Sequence, residues 1–247
     1  MTTVALQPIH DEPALLWKEK RFLIIADLHI GIETELQENG LHIPSQTSLM
    51  LERVIALIET YAIADLVILG DVKHNIPTSS KLERGDVRRF LDALHSRVSL
   101  HIIPGNHDGN LSRLLSPDIT LYPSDGAVLH GIGLVHGHRW PSDEVMRCDW
   151  VVVAHTHPTI MLTDRLGYKT FEPCWLRTVC DQEKLHERYP TSGNPLVFVL
   201  PAFNPLCGGI AVNTDPILGP FHSLLDIPNA FVYLLDGSAL GKVRAIK

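Results

Sequence analysis

The chain repeats one hydrophobic pattern: short apolar runs, each broken by an abrupt change to Asp, Asn, His and Gly. Phe22 to Ala26 ends in Asp27-Leu28-His29, Leu66 to Leu69 in Gly70-Asp71, and Leu100 to Ile103 in Pro104-Gly105-Asn106-His107-Asp108. Ile132 to Val135 ends in His136-Gly137-His138, and Val151 to Ala154 in His155-Thr156-His157. Fully apolar runs of this length, bounded by turn residues, predict buried strands. Segments of helical period lie between the first three. Ser45 is placed to cap a helix running to about Tyr61, with Leu51, Val54, Ile55 and Ile58 on one face. Ser80 and Glu83 have capping-box spacing ahead of a second helix, whose buried stripe is Val87, Phe90, Leu91 and Leu94. Strand, helix and strand in succession make two βαβ crossovers, and so a parallel sheet.

Val4 to Ile9 and Ala14 to Trp17 read as two further strands ahead of Phe22, joined by tight polar turns. Beyond Pro158 the pattern changes to mostly strand: Tyr168 to Phe171, Leu176 to Val179, Leu196 to Leu200, Phe231 to Leu235 and Val243 to Ile246. Cys180 to Asn194 is polar and reads as a surface excursion. Pro201 to Gly209, PAFNPLCGG, is dense in turn residues and reads as a tight connection between sheets in preference to a direct part in a site. No linker, repeat or low-complexity tract interrupts residues 1–247, which are expected to form a single domain.

Composition narrows the picture. At 45% apolar residues the chain can bury a sizeable core, and no run approaches the roughly 20 residues a membrane-spanning helix needs. The amino terminus carries charges too early and too often for a secretory leader, so a cytoplasmic protein is expected. Cys148, Cys174, Cys180 and Cys207 form no CxxC pair, which argues for reduced thiols in packed positions and against a structural zinc site. The net charge of −7 means that any hold on nucleic acid must rest on a local basic patch and on metals.

In an open α/β sheet, ligands bind at the carboxyl ends of the strands, so the five strand ends are expected to converge on one crevice. Taken singly, Asp and Asn in such places cap helices and make turns; five in order point to a site. Asp27, His29, Asp71, Asn106, His136, His155 and His157 supply two carboxylates, an amide oxygen and four imidazoles. That set is too large for one divalent ion and suits two ions sharing a carboxylate. Oxygen and nitrogen donors without thiolate fit Mn²⁺, Fe²⁺ or Zn²⁺ better than Mg²⁺. Two ions about 3.5 to 4 Å apart can activate a bridging hydroxide and hold both the attacking and the leaving oxygen of a phosphoryl transfer, so phosphoester hydrolysis is the reaction class that follows.

The ordered motifs DLH, GDVKH, GNHD, HGH and AHTH, spanning residues 27 to 157, resemble those of the calcineurin-like metallophosphoesterases. The resemblance implies an α/β fold, a four-layer α/β/β/α sandwich of two mixed sheets. It also implies two divalent ions, Mn²⁺ first, with Fe²⁺, Zn²⁺ or Ni²⁺ as alternatives. Asp27, His29 and His157 would hold the first ion and Asn106, His136 and His155 the second, with Asp71 bridging. His107 matches the family's non-ligand histidine, which protonates the leaving oxygen or stabilises charge on the phosphoryl group. His138 matches no ligand position and is a candidate substrate contact.

Two positions depart from the family pattern. Ala154 replaces the usual Gly of the last motif. His74 stands where phosphatases of the family carry an Asp that orients the catalytic histidine, and in this it resembles the SbcD and Mre nucleases, where the histidine belongs to the active site; the alternative is a loop histidine facing water. The flanks, with PCWL from Pro173 and PAFNPLCGG from Pro201, resemble the small prokaryotic SbcD-related phosphoesterases, some of them found in DNA-repair settings. The resemblance therefore implies a metal-dependent phosphodiesterase or nuclease acting on DNA or RNA, with a DNA-repair or helicase partner but no obligate SbcC-type one, and no membrane. Arg84, Arg88 and Arg139 are candidate phosphate contacts, although Lys81, Arg84 and Arg88 also fit an ordinary solvated helix face. A small-molecule phosphodiesterase acting on cyclic nucleotides is the alternative, favoured by the acidic net charge. A non-catalytic binding scaffold is disfavoured by the full ligand set and His107.

Overall fold

In a computed structural model of the chain, residues 6–76, 80–217 and 219–246 are described. The expected strand from Val4 to Ile9 begins outside them, and its described part pairs only over β1 (Gln7–Pro8). β2 (Ala14–Trp17) and β3 (Phe22–Ile25) follow as expected. After them come α1 (Ile32–Glu38), α2 (Thr47–Tyr61), β4 (Asp65–Leu69), α3 (Lys81–His95), β5 (Ser99–Ile103) and β6 (Thr120–Leu121). β1 to β6 form the first sheet in sequence order, antiparallel up to β3 and parallel from there on.

The second sheet takes β7 (Ala127–Leu129), β8 (Ile132–Val135), then after α4 (Asp143–Met146) β9 (Trp150–Val153), β10 (Pro158–Thr163) and β11 (Lys169–Val179). α5 (Gln182–Arg188), β12 (Leu196–Val199), β13 (Ile210–Ala211), β14 (Phe231–Leu234) and β15 (Ala239–Lys242) complete it. Its order is β13-β10-β11-β12-β9-β8-β7, with β14 paired to β11 and β15. β9 is parallel to both neighbours, so β8 and β9 end on the same side.

The continuous apolar runs have a simple cause: their strands are buried on both faces. Along β3, Phe22, Ile24 and Ala26 face the second sheet with Val152, Ala154, Trp175 and Phe198, while Leu23 and Ile25 pack on the helix side with Val54 and Phe90. Along β9, Val151 and Val153 face the other way, against Val145, Leu185 and Phe221. The layers are therefore helix, sheet, sheet and helix, the expected four-layer sandwich.

Several local expectations are corrected. Gln46, not Ser45, occupies the N-cap of α2; the Ser45 hydroxyl accepts from Thr47 N at 3.3 Å, and Gln46 N donates to Glu33 Oε1 at 2.6 Å. The buried face of α2 is Met50, Val54, Leu57 and Ile58, with Leu51 and Ile55 only partly covered. The two expected strands around Pro173 are one, β11, because Pro173 falls where the strand leaves β10 and takes up β12 and β14, so its missing N–H interrupts no continuous ladder. Val243 to Ala245 is a 3₁₀ turn and the strand lies just before it, at β15. The polar segment from Cys180 carries α5, which Leu185 and Tyr189 anchor in the second helical layer.

The capping box of α3 forms as read, and Glu83 does more than close it. Buried, it accepts from His74 N (3.1 Å), Asn75 N (2.9 Å), Asn75 Nδ2 (2.9 Å) and Ser80 N (3.3 Å), tying the loop after β4 to the helix. Glu83→Ala strands these donors and is expected to cost about 1–3 kcal/mol. Urea unfolding checks this; a change inside the error of an ordinary surface substitution would show that the loop is held by other contacts.

Candidate active site

The carboxyl ends of β3, β4, β5, β8 and β9 open onto one crevice between the sheets. The chain turns there through left-handed backbone: Asp27 (φ 54°), His29 (φ 40°), Asp71 (φ 42°), His155 (φ 75°) and His157 (φ 43°). Each such residue costs about 1–2 kcal/mol relative to ordinary geometry, and Asp, Asn and His tolerate it best among non-glycine residues. Hydrogen bonds hold the turns in place: Asp27 N to Gly70 O (3.2 Å), His29 N to Asp71 O (2.8 Å) and His155 N to Asp27 Oδ2 (3.2 Å). Two motif glycines are required by space alone. A Cβ on Gly70 would lie 2.0 Å from the His136 ring, and one on Gly105 would lie 2.1 Å from Asp71 Oδ1.

Asp27 sits at the centre, wholly buried and spanning the sheets. Its Oδ1 is 3.0 Å from His136 Nε2, and its Oδ2 is 3.5 Å from His157 Nε2. Asp71 Oδ2 lies 3.5 Å from both His29 Nε2 and His136 Nε2. Donor atoms gather in four sets, each with its members within 4.8 Å of one another: Asp27, His29 and Asp71; Asp71, His136 and His155; His29, His74 and His107; and His29, His157 and Cys207; the first two share Asp71. The Nε2 atoms of His29 and His157 are buried without a hydrogen-bond partner among the described residues, as expected of nitrogens that face a cation. The residues present thus fit a pair of divalent ions.

Two of the imidazoles are in the ligating form, and a third, His157, must give up a proton to a metal. Burial pushes His29 down to about 3 and His155 to about 4, so both imidazoles are neutral, the form that ligates metal. Asp27 is held below the ordinary carboxylate range: burial opposes its ionisation, but His157 and His136 outweigh it. His157 is raised to about 9; burial alone would lower it, and the Asp27 carboxylate reverses the sign. Asp71 is pushed up by burial and by the charge of Asp27.

His74 lies against the site and does not stand alone in solvent. Its Nδ1 is 3.1 Å from His29 Nδ1, and its Nε2 is 2.6 Å from the Glu35 carboxylate. A consistent set of tautomers follows: with His29 Nε2 given to a metal, His29 Nδ1–H donates to His74 Nδ1, and His74 Nε2–H donates to Glu35. His74 also stacks on His107, centroids 5.4 Å apart at 20°. The His107 ring Nδ1 hydrogen-bonds the His74 carbonyl, and its backbone N–H donates to Asp71 Oδ1 at 2.8 Å. Buried Lys73 fastens the two loops together through Nζ to Asn75 O (2.9 Å) and to His107 O. Asp108, the last residue of its motif, is a loop staple that accepts from Val72 N (2.9 Å) and Gly105 N (2.8 Å).

Asn106 is exposed on the turn between Gly105 and His107. His138 is half-buried with Nδ1 3.0 Å from His136 Nδ1, which makes it a partner of that imidazole as well as a residue of the rim. Arg84, Arg88 and Arg139 are exposed. Arg88 reaches Arg113 O at 3.5 Å, and no hydrogen bond or ion pair engages the side chain of Arg84 or Arg139 among the described residues.

Three residues at the site carry no sequence signal of their own. Glu35 lies on α1, a short helix that begins at Gly31 without a side-chain cap and reads as loop. His222, 2% exposed, lies with its ring 6.2 Å from that of His155, far along the sequence from any motif. Cys207 belongs to the segment Pro201 to Gly209, for which a connecting role accounts for only part of the geometry. Phe203 N donates to Ala26 O (2.8 Å), Asn204 Nδ2 to Leu28 O (2.8 Å), and Gly208 O accepts from His157 Nδ1 (2.9 Å), so this stretch buttresses the crevice.

No helix of the described residues is long and apolar enough to cross a membrane. No curated protein matches the chain. Among solved structures, the Pseudomonas putida nuclease MPE has a similar fold, with a TM-score of 0.56 and 21% identity, covering 96% of this chain and 100% of that one. Yfce, a phosphoesterase from E. coli, aligns with a TM-score of 0.41 and 19% identity, covering 90% of this chain and 97% of that one. Residues 20–185, well over half of the chain and every strand end that opens onto the crevice, match the calcineurin-like phosphoesterase family, and the chain belongs to that family of hydrolytic enzymes.

Proposed function

We propose that this enzyme is a two-metal phosphodiesterase whose natural substrate is nucleic acid. The observation that carries the reading is the pair of donor sets sharing Asp71, with the stacked His74–His107 pair beside them. Asp27, His29 and His157 would hold one ion, Asn106, His136 and His155 the other, and Asp71 would be shared between them. Two divalent ions bound there supply an activated nucleophile and positive charge for the phosphoryl group. Mn²⁺ is the first candidate for the two ions, with Fe²⁺, Zn²⁺ and Ni²⁺ as alternatives.

The chain's own residues do the rest. His107 gives Nδ1–H to the His74 carbonyl, which fixes the ring and leaves Nε2 to carry the proton for the departing oxygen. His74 places an imidazole where an Asp would add negative charge, so the pocket repels a polyanion less. Glu35, on the far side of His74, orients that ring from the surface. Diesters are therefore favoured over monoesters, and nucleic acid is the diester that the proteins resembling this chain at its flanks suggest.

Three outcomes test this. Asp71→Asn should weaken occupancy of both sites in metal analysis, and retention of two tightly held ions would exclude the bridging role. His107→Ala should keep both ions and lose turnover on DNA or RNA by on the order of 10²- to 10⁴-fold; undiminished cleavage of diesters with poor leaving groups would show that His107 is not the acid. His74→Asp should shift the ratio of diesterase to monoesterase activity towards monoesters. A wild type that already prefers monoesters, or that cuts neither DNA nor RNA with any of these metals, would replace the nuclease reading with a small-molecule phosphodiesterase.

A further inference from the structure

We propose that Cys207 is a ligand of the ion held by Asp27, His29 and His157, a sulfur donor that makes the two metal sites chemically unequal. The inference rests on the two-metal reading above. The sulfur of Cys207 and one ring nitrogen each of His29 and His157 lie within 4.8 Å of one another. Sulfur and nitrogen bound to one Zn²⁺, about 2.3 and 2.0–2.1 Å from it, stand no more than about 4.4 Å apart, so a small adjustment brings all three onto one ion.

The position of the sulfur is set by the fold. Cys207 N donates to Asn204 O (3.1 Å), Asn204 is fixed to Leu28, and the Sγ lies 3.9 Å from Asp27 O. On the other side Gly208 O accepts from His157 Nδ1, and Gly209 passes so close that a Cβ there would lie 2.2 Å from His157 O. The chain on both sides of Cys207 is thus clamped to the ligands of the site. A second observation points the same way: the buried Nε2 atoms of His29, itself 4% exposed, and His157 make no hydrogen bond among the described residues and stand 3.5 Å from carboxylate oxygens of Asp71 and Asp27, so this corner of the crevice already turns nitrogen and oxygen donors towards a cation. On ligation the ion replaces the thiol proton, which leaves to solvent.

The consequence is selectivity. Thiolate favours Zn²⁺ and Fe²⁺ over the harder Mn²⁺, while the other site offers only oxygen and nitrogen, so a mixed pair of ions is expected. Cobalt is the probe. Wild-type protein loaded with two Co²⁺ should show the near-ultraviolet sulfur-to-cobalt charge-transfer band. Cys207→Ser should retain cobalt without the band, and its preference for Zn²⁺ over Mn²⁺ in competition should fall by on the order of 10- to 100-fold. Cys148→Ser, whose thiol in the wild type lies 3.7 Å from Glu144 O and belongs to none of the donor sets, should keep the band. Two bound cobalt ions without the band in the wild type, or a band that persists in Cys207→Ser, would overturn the inference while leaving the two-metal reading intact. A chain that takes up no cobalt would overturn both.

Discussion

The crevice is built around buried negative charge. Asp27, Asp71 and Asp108 are 0%, 2% and 5% exposed, and a buried carboxylate without compensation is among the costliest groups a fold can carry. Asp108 is met by backbone N–H groups, and burial together with the Asp71 charge pushes it to about 6. Asp27 and Asp71 have mainly imidazoles for neighbours. Two of the nearby rings, His29 and His155, are themselves held neutral by burial and cannot balance the charge. The balance falls on His136 and His157: burial disfavours their charge, but Asp27 and Asp71 outweigh it and hold both above the ordinary imidazole range, while His29 and His155 keep the neutral form that ligates a cation.

Holding that arrangement takes a rigid support. Five of the residues lining the crevice sit in left-handed backbone, each at about 1–2 kcal/mol. Fully burying one Leu, Ile or Phe contributes about 1.5–3 kcal/mol. The layer between the sheets, with Phe22, Ile24, Val67, Leu69, Ile103, Leu134 and Val152, lies directly behind these turns and holds the strand ends in register. Strain at the strand ends is thus set against packing one residue away, and the turns have nowhere to relax.

How much of this was legible in the sequence follows from how local each cause is. A strand buried on both faces announces itself by an unbroken apolar run, and a motif glycine by the polar residues around it, so the strand ends and α3 could be read directly. The two halves of β11 could not be joined, because Pro173 is a break signal whose meaning depends on which neighbour the strand pairs with at that point. Val243 to Ile246 has strand composition but closes as a turn after β15. Glu35, Cys207 and His222 reach the site only through tertiary placement. No period or spacing marks them, and the absence of a CxxC pair, a fair argument against a structural zinc site, said nothing about a single thiol delivered by a distant loop.

The same limit applies to charge. A net charge of −7 counts every side chain equally, whereas recognition of a polyanion depends on where the charges stand. Arg84 and Arg88 lie exposed on α3, whose first turn Glu83 ties to the His74 loop on the first sheet's side of the crevice. Arg139 follows His138 on the second sheet's side, next to Trp140, over whose ring Arg188 lies at 5.1 Å. On the nuclease reading, exposed Arg84, Arg88 and Arg139 are the cations that follow the site's strand ends in sequence, and screening within about 8–10 Å limits what distant carboxylates can oppose there. A net charge of −7 is therefore no measure of the field at the crevice, which depends on the few groups that stand there.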